Sequence, residues 1–533
     1  MSERLIIRTT GQTGPGSGVT LLPTSNGTDD TSALNAVLAA ATGVVRGVPG
    51  EEYLISDPLV IGSNTTLDMT GCTVTLLDGN TCNLLKNSTA GTASRNSDIT
   101  LIGGTWDRGE ENAENGTAGG AVGNAVGSHC IEMDGVDRLI IRDIVGASGA
   151  GKYFIHGSDL VDFTISGVYG NVDSDGVHIN GPAYDGVIER VFILTGDDTV
   201  AVLTNEGVTY QGYSNTSGPV KNISINDVRT VSGQSMVKLA GSTDTLSDIS
   251  IKGVSGSIGG QAGVILGAGD VTGNVMSNIA VRDVHVEGTA MTASVYALSS
   301  TITGTCFVEN VSNLTATGSS VAVWLQASIA SIVLSNLRAV PSSVIACTDG
   351  TYGKIIVDGV DHETSNTSNI FGVFTTTVAP TIRELILRNC HRNGQAYTGF
   401  LTNPGAAARR IVLDHCSALQ TLQAFRAAAG AGQTTAITLT GCQLEGVQWA
   451  QFTGPGNIDL YGEGNSLANG ITTTGSPVVR PLSLNMQLDV GATDVQAGNG
   501  RMAYNTNAAR GCGVGPCVSN GTLWKNLYTG STT

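Results

Sequence analysis

Residues 223–254 read ISINDVRTVSGQSMVKLAGSTDTLSDISIKGV. The stretch opens and closes on one pattern: apolar, any, apolar, two small or polar residues, apolar. Aligned on its last apolar position, the pattern recurs at Cys72, Ile144, Val168, Val228, Val254, Val284, Val311, Leu337, Val360, Cys390, Cys416 and Cys442, with a weaker copy, GVIERV, at Val191. From Val228 the steps are 26, 30, 27, 26, 23, 30, 26 and 26 residues. Alternation of period two excludes a helical repeat, and a strand pair alone could not bury its apolar face. A unit of this length fits one coil of a right-handed parallel β-helix, with equivalent strands stacked about 4.8 Å apart. A leucine-rich repeat would show LxxLxL spacing, and a propeller blade would need about 40–45 residues.

The rest of the composition agrees with this all-β reading. The chain has 533 residues, more than one compact core usually serves, yet no long polar linker divides it. A solenoid escapes that limit because each coil buries only its neighbours' faces. With 72 glycines and few aromatics, the chain has the chemistry of short strands and tight turns. A net charge of −17 argues against nucleic acid or an anionic membrane surface as a partner. No apolar run approaches the ~20 residues of a membrane span. The start, MSERLIIRTTGQTGPGSG, lacks the apolar core of a signal peptide.

Residues 1–27 read as an arm, 28–465 as the β-helix and 466–533 as a separate C-terminal segment for capping or assembly. In GTDDTSALNAVLAAATG, Asp30 or Thr31 can cap a helix whose Leu34, Val37 and Leu38 share one face. Such a helix suits the open end of a stacked sheet. Cys390, Cys416 and Cys442 recur every 26 residues, which reads as a ladder of small buried side chains rather than a metal or redox site. Cys512 and Cys517 could pair. Two steps are too long, and their extra residues, including GEENAENGTAGG and NEGVTYQGYSNTSGP, should leave as loops and wall a groove.

Between those loops lies the chemistry. NVDSDGVHIN (171–180) and TGDDTVAV (195–202) each carry an Asp-rich turn before a strand. Asp175 lies seven residues after Val168 and Asp198 seven after Val191, so both occupy one position on successive coils, with Asp197 beside them and Asp173 two residues ahead. Val177, Ile179, Val200, Val202, Val237 and Leu239 should face inward. One outward line should then hold His178, Ala201 and Lys238, with Phe154 on the coil before. Stacked carboxylates repel, which raises the pKa of at least one. One protonated and one ionised carboxyl group is what hydrolysis of a glycosidic bond requires. Catalysis is therefore expected of Asp175, Asp197 and Asp198, and substrate binding of Lys238, His178, Asp173 and Phe154. Such a reaction needs no metal and no cofactor.

The SDG and GDD turns, with Asp175 and Asp197 spaced 22 positions apart, resemble the polygalacturonase family of glycoside hydrolases. The resemblance implies a right-handed β-helix and an inverting hydrolase, with Asp197 as general acid and Asp175 and Asp198 activating water. Lys238, in SMVKLAG, is similar to the lysine of the family's RIK motif, although Met236 replaces the arginine and the GHG histidine has no counterpart in 203–235. The opening also resembles pectin-lyase-like domains of phage tailspikes, and NGTLWKNLYTG resembles the C-termini of minor tail proteins of actinobacterial phages. That implies a virion protein, made in the host cytoplasm without a signal peptide. Its expected partners are a host cell-surface glycan and other phage tail proteins. A homotrimer is expected, with Met502, Trp524, Leu527 and Tyr528 pooled around its axis. Two other readings stay open: a non-catalytic receptor-binding or structural tail protein, and a calcium-dependent lyase with the metal on Asp173, Asp175, Asp197 and Asp198.

Overall fold

The structure, a computed structural model, describes residues 18–80, 82–109, 129–147, 153–205 and 217–241, most of 244–481, and three short strands between 502 and 526. The fold is a right-handed parallel β-helix. By its contacts the chain divides into two compact units, the second beginning at Asp175.

The first unit opens with a strand, Thr20–Leu21, paired parallel to Val45 and Arg46. The helix Thr31–Ala40 follows and buries Thr31, Leu34 and Leu38. Its side chains take the place of a neighbouring strand. Asp30 Oδ2 accepts the Leu54 N–H at 3.1 Å, and Thr31 Oγ1 accepts that of Ser56 at 2.9 Å. Asn35 accepts the Val60 N–H at 2.8 Å and donates to the Pro58 carbonyl at 2.9 Å, as a peptide group would. An edge that would otherwise present open amides is thereby closed. Behind it the coils stack in parallel register. Val45, Leu67, Leu101, Ile141 and Ile165 stand one above the next, all fully buried.

The second unit continues the same rule. Ile188, Ile225, Ile251, Val281, Val308, Leu334 and Val357 form one buried column. The repeated sequence pattern acquires a cause here. The residue just before each coil's last apolar position is left-handed: φ is +53° at Asp227, +74° at Gly253, +52° at Asn336 and +60° at Gly441. Asp, Asn and Gly take that conformation at least cost, which is why small or polar residues precede the apolar one. Arg190, at +54°, takes it without that advantage, so the copy ending at Val191 looks weak in sequence although Val191 pairs in register with Val228.

Cys390, Cys416 and Cys442 are buried and free, as expected of a ladder. Their thiols face the carbonyls of Val357, Leu387 and Leu413 at 3.7, 3.4 and 3.3 Å. The hydrogen bond with Cys390 and burial push the Cys416 thiol up to about 12, so Cys416 is a packing group rather than a nucleophile. Parallel pairing carries on through Val478–Pro481, past the boundary expected at 465. Beyond it, Met502–Asn505, Gly515–Ser519 and Trp524–Asn526 form an antiparallel three-stranded sheet. Leu527, Tyr528, Cys512 and most residues of the two expected groove walls lie outside the described residues. Among the described residues no helix is long and apolar enough to cross a membrane.

Candidate active site

The second unit gathers one cluster over three coils. Asp175 opens the strand Asp175–Thr195, and Asp197 and Asp198 form the turn before Val200–Leu203. Main-chain bonds lock these turns together. Gly176 N–H donates to the Asp198 carbonyl at 3.1 Å, Thr199 N–H to Ser235 at 2.9 Å and Gln234 N–H to Asp197 at 3.2 Å. The expected register holds: Val177, Val200 and Val237 stack inward and fully buried, and His178, Ala201 and Lys238 stack as the alternate row.

Asp175 Oδ2 lies 2.7 Å from His178 Nδ1, and its Oδ1 accepts the Asp198 N–H at 3.3 Å. Asp198 Oδ1 accepts the Ser235 hydroxyl at 2.5 Å, and its Oδ2 stands 3.2 Å from Lys238 Nζ. One oxygen from each of Asp175, Asp197 and Asp198 falls within 4.8 Å of the others. Asp175 and Asp198 are only 4% and 3% exposed, whereas Asp197 and Lys238 are half-buried. The electrostatics follow from one cation among three acids. Burial pushes the Asp198 carboxyl up, Lys238 opposes this, and the Asp175 charge adds to it, leaving Asp198 above the usual carboxylate range. The Asp198 carboxylate in turn holds the Lys238 ammonium above its ordinary value, so Lys238 stays charged.

Asp175, Asp197, Asp198, Lys238 and His178 are thus brought together as the sequence suggested. His178 differs from expectation in one respect. It is 2% exposed and bonded to Asp175, so it orients a carboxylate rather than presenting itself at the surface. Phe154 is not an outward residue either. It is fully buried in the first unit, its ring filling the space that side-chain-free Gly146 leaves, beside Val172. Asp173, also in the first unit, is exposed. The sequence reading missed Ser235, although Val228 plus seven places it at the carboxylate position of the third coil. It also missed where the row leads. From Lys238 the register passes to Ile265, Tyr296 and Trp324. The Tyr296 and Trp324 rings are 5.8 Å apart, and Trp324 Nε1 donates to Thr348 Oγ1 at 2.9 Å.

Comparison with known proteins reaches the fold and stops there. No protein-family model matches the chain, and no curated protein matches it in sequence. Solved structures of similar architecture include the family 28 exopolygalacturonase of Yersinia enterocolitica, at 10% identity and TM-score 0.33, covering 87% of this chain and 78% of that one. Another is the mannuronan C-5 epimerase AlgE4 A-module of Azotobacter vinelandii, at 13% and 0.31, covering 86% and 96%. A third is gene product 12 of bacteriophage phi29, at 13% and 0.25, covering 87% and 72%. At such identities and scores the likeness carries no argument about activity.

Proposed function

We propose that this protein is a phage tailspike or minor tail protein that binds a host cell-surface polysaccharide and hydrolyses it with the carboxyl groups of Asp175, Asp197 and Asp198. The observation that carries the reading is their convergence against Lys238, at the head of a row that continues through Tyr296 and Trp324. Three coil steps from Lys238 to Trp324 span about 14 Å, room for an oligosaccharide lying along the row. Aromatic rings suit the apolar faces of sugars, and Lys238 suits a sugar that carries a carboxylate or another anionic group. On this reading Asp197, the most exposed carboxyl of the three, protonates the leaving oxygen, as the family resemblance implies.

The test is reducing-end release from host envelope polysaccharide by the purified protein, with the anomer of the fresh product read by proton NMR. Release without new double bonds is expected. Unsaturated, chelator-sensitive products would select the lyase reading instead. Trp324→Ala should weaken oligosaccharide binding by about tenfold, roughly 1.4 kcal/mol, and unchanged binding would remove the row from the site.

A second reading has its own observation. Asp175 and Asp198 are nearly closed from solvent and already hydrogen-bonded, as structural groups would be. On that reading the protein binds glycan or serves the tail without cleaving, and no reducing ends appear. Either way we place it in the virion as a homotrimer assembled through 466–533, beside other tail proteins. Sedimentation of the full-length chain as a monomer would count against the assembly.

A further inference from the structure

Three side chains of the first unit form a second cluster that the proposed hydrolysis does not use. His129 stands just ahead of the strand Ile131–Gly146, Glu132 is that strand's second residue, and His156 belongs to Tyr153–Val172. Glu132 and His156 are register neighbours on adjacent coils. His156 Nδ1 lies 2.8 Å from Glu132 Oε2, and His129 Nε2 lies 3.9 Å from the same oxygen. All three residues are fully buried. The Tyr153 ring stacks on His129 at 4.9 Å, within 6° of parallel, and lies 5.6 Å from the His156 ring.

The geometry points to a binding site for one divalent transition-metal ion of the zinc type, held by His129, Glu132 and His156. Two imidazoles and one carboxylate are the donor set of a three-ligand site that leaves a further position open. Bonds of about 2.0–2.1 Å around a tetrahedral ion set neighbouring donor atoms about 3.3 Å apart. The 2.8 and 3.9 Å separations bracket that value, so small side-chain adjustments bring all three donors onto one ion. Stacked Tyr153 fixes the plane of the His129 ring, and the coil register fixes Glu132 against His156, so little ordering remains to be done on binding. Hard cations such as calcium want six to eight oxygens, and this cluster offers one carboxylate. The alternative for the same atoms is a proton shared between Glu132 and His156, with no ion.

The experiment uses the full chain, stripped with chelator, dialysed and titrated with Co2+ as the probe. One equivalent per chain is expected, with the visible absorption of low-coordinate cobalt, its displacement by Zn2+, and a higher thermal midpoint with Zn2+ than without. His156→Gln and His129→Gln should each weaken Co2+ binding at least tenfold. Asp197→Asn should leave it unchanged, which separates this site from the acidic cluster of the second unit. Absence of stoichiometric binding overturns the proposal, and so does binding that survives both histidine substitutions or is lost in Asp197→Asn. Should a histidine variant fail to fold, NMR of the parent protein decides. Zn2+ should shift the ring signals of two histidines, and unshifted rings overturn the proposal.

Discussion

Replacing Asp197 by asparagine should slow glycan cleavage by about 10²–10⁴-fold while leaving glycan binding and folding close to those of the parent. The substitution keeps the shape of the side chain and removes its capacity to give and take a proton. Asp197 is half-buried, and its carbonyl bonds to the next coil, accepting the Gln234 N–H at 3.2 Å. The main-chain bond survives the substitution, and asparagine keeps the side chain's size and polarity. The checks are kcat on host polysaccharide, Kd for a product oligosaccharide, and the thermal midpoint. If binding and cleavage fall together, Asp197 holds substrate rather than transferring a proton.

Lys238→Met is expected to act on stability instead. Lys238 Nζ is the cation beside buried Asp198, at 3.2 Å. Removing one partner of a fully buried pair costs about 3–5 kcal/mol, because the other charge is left alone. Lys238 is 29% exposed, so solvent screens part of this, and a loss of about 2–3 kcal/mol is expected. The loss should depend on pH. Lys238 is the strongest influence lowering the Asp198 pKa, so without it the carboxyl rises further. A folded value above the unfolded one, near 3.9, means that the native state holds the proton more tightly. Both proteins lose stability alike as pH climbs from about 4, and the variant should fall away from the parent only above the parent's own raised Asp198 value, up to the variant's higher one. Asp29, Asp68 and Asp98 are lowered and work in the other direction, in both proteins. The quantity to follow by urea unfolding is therefore the difference between variant and parent. A difference that is flat with pH would show that Asp198 does not titrate against Lys238, and Asp198→Asn added to Lys238→Met should recover most of the loss.

The coil architecture was legible because stacking makes like residues recur, and because the left-handed residue before each coil's last apolar position is Asp, Asn or Gly at most copies. The same arithmetic placed Asp175, Asp198 and Lys238 on neighbouring coils, since a site laid along a register inherits the register's spacing. It failed where side chains rather than strands decide. Phe154 was counted outward by its offset, but its ring is fully buried where Gly146 leaves room. The depth of Asp175 and Asp198 depends on what lies over the row, which periodicity does not encode. His129, Glu132 and His156 escaped notice because a coil brings together residues 24 positions apart, a spacing that no short motif contains.

The helix at Thr31–Ala40 has a consequence for growth. A parallel stack is a polymer that any chain with a matching edge could extend. At Leu54, Ser56 and Val60 the next layer is replaced by single side chains, from Asp30, Thr31 and Asn35. Those side chains accept the hydrogen bonds of one coil and offer no ladder to another. In the vocabulary of polymerisation the segment is a terminator, incorporated once and unable to propagate. At Leu54, Ser56 and Val60 it leaves strand addition without a template.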